Sequence, residues 1–185
     1  MARISSFVLG VIAAASMLVA SPAWAQRPVV DTPGGPPAND CPVLSVSAVG
    51  AVGVGASRTF SAREVTDLSV QLIFRSEPEP GRVFTLKVLS PSGFLYRAID
   101  VPVAPVEGKR PTGSMRLDGY PYPVPIRGAA RSTAAGVEVW VADVALPVAG
   151  TTIVTSGLYG TWRIEAWSEG ALRACPGTVT FRLTE

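Results

Sequence analysis

From Cys41 onward the apolar residues recur at every second position in short runs, and each run is closed by Gly, Pro or Ser. A side-chain period of two is the signature of a half-buried β-strand, because successive side chains leave a strand on opposite faces. Beyond residue 25 no stretch of helical length carries the i, i+3, i+4, i+7 apolar stripe of an amphipathic helix. The pattern predicts strands at Val43–Val49, Arg58–Arg63, Asp67–Arg75, Arg82–Ser90, Phe94–Val101, Val137–Leu146, Thr161–Ser168 and Thr178–Leu183. In the fourth, Phe84, Leu86 and Val88 form the core face, and Val83, Thr85, Lys87 and Leu89 point the other way. Ser90-Pro91-Ser92-Gly93 then makes a tight turn into the fifth, an antiparallel hairpin. Seven or eight short strands with turn signals between them predict an all-β fold, an antiparallel two-sheet β-sandwich, with a barrel as the alternative.

The stretch before Cys41 has a different grammar. Residues 1–25 read as a signal peptide: Arg3 is the basic n-region, residues 4–20 are almost wholly apolar, and Ala23-Trp24-Ala25 is a small-residue cleavage site. The expectation is an exported chain, periplasmic or extracellular, that begins at Gln26 and keeps no integral membrane segment. Cys41 lies too far downstream to carry a lipid at the cleavage point. Residues 26–40, QRPVVDTPGGPPAND, have no hydrophobic period and read as a flexible Pro/Gly-rich tether, which leaves residues 41–185 for one domain. With 16 Lys and Arg against 14 Asp and Glu, interspersed, the chain lacks the electrostatic footprint of a nucleic-acid binder.

In the segment GLYGTWRIEAW, residues 157–167, Trp162, Ile164 and Ala166 share one face of a strand, whereas Thr161, Arg163, Glu165 and Trp167 share the other. The first set is a core face and makes Trp162 a packing anchor, so Trp167 alone is left as an outward aromatic. The hairpin LKVLSPSGFLYRAIDVPV, followed by VADVALPVAG and GLYGTWRIEAW, resembles bacterial immunoglobulin-like domains of the macroglobulin or fibronectin type over roughly residues 66–184. The resemblance implies an immunoglobulin-like sandwich in which Tyr159 ties down a corner. It extends to fold and not to protease trapping, because the chain has no thioester-type cysteine motif.

The chain contains no histidine, which removes Ser-His-Asp and Cys-His catalysis and the usual zinc sites. Its only lysines, Lys87 and Lys109, stand in no S-x-x-K arrangement. Glu138, Asp143 and Glu165 fall on strands with nothing to pin two of them at catalytic distance, and Glu77-x-Glu79 and Asp118-Gly119 fall short of a calcium loop. The expectation is therefore a chain that is not an enzyme and uses no cofactor or metal. Residues 102–136, with the run Tyr120-Pro121-Tyr122-Pro123-Val124-Pro125, read as one long loop, partly polyproline II. Such loops carry recognition or are merely mobile. Arg116, Tyr120, Tyr122 and Arg127, together with Trp167, are the candidate contacts for an unidentified protein or polysaccharide ligand. The expected function is a binding or accessory module; the alternative is a structural subunit of a cell-envelope assembly.

Cys41 and Cys175 are the only cysteines. In an exported chain an even count points to disulfides, and two cysteines allow one intramolecular pairing, here stapling the first strand to the loop between the last two.

Overall fold

A computed structural model describes residues 41–49, 58–106, 113–134 and 136–185. The expected signal peptide (1–25) and tether (26–40) lie outside the described residues. The fold is all-β. In chain order the elements are β1 (Val43–Val49), β2 (Thr59–Ser61), β3 (Asp67–Phe74), β4 (Arg82–Leu89), β5 (Leu95–Pro105), β6 (Ser114–Met115), β7 (Val124–Pro125), β8 (Arg127–Ala134), β9 (Val137–Pro147), one helical turn α1 (Thr152–Thr155), β10 (Gly160–Ser168) and β11 (Val179–Thr184).

Nine of the strands form one sheet in the order β1-β3-β9-β8-β5-β4-β10-β11-β2, and β6 pairs with β7 as a separate two-stranded ribbon. The sheet folds over on itself and nearly closes, bringing β1 close to β11. It is mixed: β5 runs parallel to β8, and β11 parallel to β2, whereas the other pairs are antiparallel. An antiparallel pair of separate sheets was the expectation; these two parallel pairings replace it.

The core fills the inside of the fold, and the alternation that predicted the strands also builds it. On β3, Leu68, Val70, Leu72 and Phe74 are buried, and the strand lies in register with β9 so that Leu68 faces Leu146 and Val70 faces Val144. On the other half, Phe84, Leu86 and Val88 of β4 lie beside Ser168, Ala166 and Ile164 of β10. Each fully buried Leu, Val or Phe contributes about 2 kcal/mol of transfer free energy. The Phe74 and Phe84 rings, 5.5 Å apart, meet across the two halves. Trp162 is fully buried, stacked on Phe181 at 6.3 Å and met edge-on by Tyr96 at 5.2 Å.

The β4–β5 turn closes as the Pro-Ser-Gly signal predicts. The Gly93 N–H donates to the Ser90 carbonyl (2.9 Å), and Gly93 takes a positive φ of 83° that a side chain would oppose. Pro91 of this turn packs on Gly160, where a Cβ would sit 2.9 Å from the proline. The corner role expected of Tyr159 falls elsewhere. Its hydroxyl makes no hydrogen bond among the described residues, and the ties are Trp162 Nε1 donating to the Leu158 carbonyl (3.1 Å) and Tyr96 to Thr152 through their hydroxyls (2.9 Å).

Cys41 and Cys175 are joined, their Cα atoms 5.5 Å apart. The Cys175 N–H also donates to the Ala166 carbonyl at 2.7 Å, which holds the β10–β11 loop against the sheet.

The long loop expected over 102–136 is shorter than its sequence suggests. Strand β5 continues to Pro105, and Arg127–Ala134 is strand β8, paired with β9 from Ala130↔Val141 to Ala134↔Val137. RGAARSTA has almost no β-branched or aromatic residue to announce a strand. The edge of β9 supplies the pairing instead, and the small buried side chains of Ala129 and Ala130 let the backbones approach. The connection that remains spans residues 106–126 and includes β6 and β7.

Candidate functional site

Strands β5, β4 and β10 lie side by side, and register sets their outward residues in rows: Trp167 beside Thr85 beside Asp100, and Glu165 beside Lys87. The Thr85 hydroxyl donates to Asp100 Oδ1 at 2.5 Å. The Lys87 ammonium lies 3.6 Å from the centroid of the Trp167 ring, a cation–π contact. Among the described residues no carboxylate lies within ion-pair distance of Lys87. Glu165, directly across the ladder, accepts from the Trp167 indole N–H (3.3 Å) and pairs with Arg163 (3.2 Å). Half-buried Trp167 is thus held on one edge by a carboxylate and on its face by an ammonium.

The described part of the 106–126 connection reaches this face at Leu117 and Asp118. Leu117 and Asp118 from it, with Thr85, Lys87, Asp100 and Trp167 from the sheet, line a groove of about 340 Å³ that the β10–β11 turn at Ser168–Ala171 closes at one end. A second hollow of about 170 Å³ lies where β5 has β8 beside it only over Val103–Pro105; Arg97, Asp100, Tyr120 and Arg127 are in its wall. Asp100 belongs to both. Burial first, and then the facing Asp100 carboxylate, push the Tyr120 hydroxyl above the ordinary tyrosine pKa, because both disfavour a phenolate there.

Of the five candidate contacts, Trp167 lines the larger groove and Tyr120 and Arg127 the smaller. Arg116 and Tyr122 are exposed and line neither. Thr85, Lys87, Asp100 and Asp118, which also line the larger groove, are not among the contacts the sequence singled out. The alternation on β4 had already turned Thr85 and Lys87 outward; the missing information was that β4 pairs with β10, which sets them beside Trp167.

The carboxylates weighed for catalysis are apart. Glu138 and Asp143 are on β9 and Glu165 on β10, with three strands between those two in the sheet order. Asp143 accepts from Ser69 Oγ (3.2 Å) and Gln71 Nε2 (3.0 Å). Glu77 and Glu79 border a small hollow that also contains Arg82, a cation that competes for them. Among the described residues no cluster of three or more Asp, Glu, Cys or His is arranged to hold a metal, and no helix is long and apolar enough to cross a membrane.

The groove can grip a ligand that offers a flat apolar face to the indole and hydrogen-bonding groups to Asp100, Asp118 and Lys87. No protein-family model, no curated protein and no solved structure matches this chain.

Proposed function

We propose that this chain is an exported, non-catalytic module that binds a neutral polysaccharide in the groove between the 106–126 connection and the outer face of β4, β5 and β10. The observation that carries the reading is the half-buried Trp167 ring in a polar-walled groove of about 340 Å³. Sugar rings pair a flat C–H face with a rim of hydroxyls, and an aromatic platform beside carboxylate acceptors and an ammonium donor complements both. One lysine stands there against Asp100, Asp118 and Glu169, a balance that turns polyanions away. We read the sheet as an immunoglobulin-like sandwich whose edges have joined through β5 and β8; the Pro-Ser-Gly hairpin and the Trp162 anchor support that reading. Export rests on the signal sequence of residues 1–25.

The test is calorimetric titration of the full chain, purified after export, with neutral and with uronate-bearing oligosaccharides. A neutral chain should bind, and Trp167→Ala should weaken binding about tenfold or more, equivalent to about 1.4 kcal/mol. Preference for the uronates, or binding that Trp167→Ala leaves unchanged, removes the reading.

A further inference from the structure

The two ends of the sheet are treated differently. At one end β2 is three residues long and flanked by Arg58 and Arg63, which is how soluble proteins blunt an edge that would otherwise template another strand. At the other end β1 is seven residues, VLSVSAV, with no charge and no proline within it. It pairs with β3 on one side; β11 comes close to it, but among the described residues no strand pairs with its other edge. Val43 and Val49, at its two ends, are each 48% exposed.

The sequence of β1 reads almost the same in both directions. About Val46, Ser45 mirrors Ser47, Leu44 mirrors Ala48, and Val43 mirrors Val49. A two-fold interface asks for this property, since every residue must be compatible with its mirror position on the other copy. We propose that the free edge of β1 is a homodimer interface, in which β1 of a second copy pairs antiparallel about a two-fold axis at Val46 and continues the sheet. On the outer face the pairing sets Val43 opposite the second copy's Val49, covering both exposed valines, and sets Ser45 opposite its Ser47, a hydroxyl pair that hydrogen-bonds across strands. On the inner face Leu44 meets Ala48, large against small, and Val46 meets Val46. The pairing buries no charge. The interface is independent of the groove, so either proposal can fail alone.

Light scattering coupled to size exclusion, on the exported and oxidised full chain, should return twice the mass of one chain. Ser45→Lys/Ser47→Lys sets lysine against lysine across the axis, and Ser45→Glu/Ser47→Glu sets glutamate against glutamate. Each should be monomeric alone, and mixing the two should restore a dimer. A wild-type monomer, or a dimer that survives both double variants, overturns the proposal. A second measurement does not depend on the edge tolerating charge. Ser45→Cys chains mixed with Ser47→Cys chains should cross-link under mild oxidation far faster than either alone, because opposed Cβ atoms lie about 4.5–5.5 Å apart and diagonal ones about 7–8 Å. Equal cross-linking in all three samples also overturns it.

Discussion

Truncating Trp162 to alanine tests whether the face assignment of β10 and the packing around it are as described. The ring is fully buried, lies nearly parallel to Phe181 (13° between planes, centroids 6.3 Å apart) and is met at 90° by Tyr96. Neither neighbour can follow a shrinking side chain: Phe181 is fixed in β11 by pairing with β10, and Tyr96 is held by its hydroxyl bond to Thr152. The cavity therefore persists, and the cost is about 3–5 kcal/mol. Loss of the indole N–H donated to the Leu158 carbonyl adds about 1 kcal/mol. Against a typical net stability of about 5–15 kcal/mol, this is a third or more of the whole. In urea, where a domain of this size loses about 2 kcal/mol per molar, the midpoint should fall by about 2–3 M. Far-ultraviolet circular dichroism on the oxidised protein is the measurement of choice, since the substitution removes a fluorophore. Trp162→Phe, which keeps a stacked ring but not the N–H, should cost about 1–3 kcal/mol. A Trp162→Ala midpoint shift worth under about 1 kcal/mol, with an unchanged slope, would refute the packing argument.

Cys41→Ala/Cys175→Ala should lower stability by at most about 5 kcal/mol, the chain-entropy value for a sequence separation of 134, and reduction of the wild type should move the unfolding midpoint in the same direction. Coincident oxidised and reduced curves would contradict it. Burial and the Asp100 carboxylate raise the Tyr120 hydroxyl above the ordinary tyrosine pKa in the folded state, so above that ordinary value the unfolded chain gives up its proton first and stability falls with rising pH. Tyr120→Phe should flatten that fall, and Asp100→Asn should bring the phenol's absorbance titration to lower pH. Replacing residues 106–126 by a linker of about four residues should abolish cooperative unfolding, because a parallel connection needs about a dozen residues or more. A glycine-serine segment of the original length should preserve it.

The strands that alternate cleanly were legible because period two leaves little room for another reading. DLSVQLIF buries every second residue as its sequence requires, RVFTLKVL does so from Phe84 onward but also buries Val83, which the alternation turned outward, and Trp162, Ile164 and Ala166 occupy the core face that the alternation assigns them. RGAARSTA was not legible, because its strand state comes from the unpaired edge of β9 and not from its own side chains. The groove was half legible. Trp167 stood out as an aromatic on a polar face, but Thr85, Lys87 and Asp100 look like ordinary solvated strand residues until the order β5-β4-β10 brings them beside it. Strand order is a long-range property that no local pattern encodes, and for the same reason the two parallel pairings escaped notice.

One of those parallel pairings explains why there is a groove at all. Two antiparallel neighbours can be joined by a turn of two residues, but a chain leaving the end of β5 at Pro105 must double back to enter β8 in the same direction at Arg127, which lies opposite Val103. The inside of the fold is filled by Phe84, Val101, Val144 and their neighbours, and Leu117 and Asp118 of the return lie on the outer face. Proline suits such a path: Pro121, Pro123 and Pro125 have no N–H to satisfy. The crossing carries Leu117 and Asp118 along the row Trp167, Thr85, Asp100, so a polar strip that an all-antiparallel sheet would leave open to bulk water becomes one wall of a groove. The tyrosine- and proline-rich segment is therefore the connection that the mixed sheet demands, and the lining of the groove follows from where Leu117 and Asp118 of that connection lie.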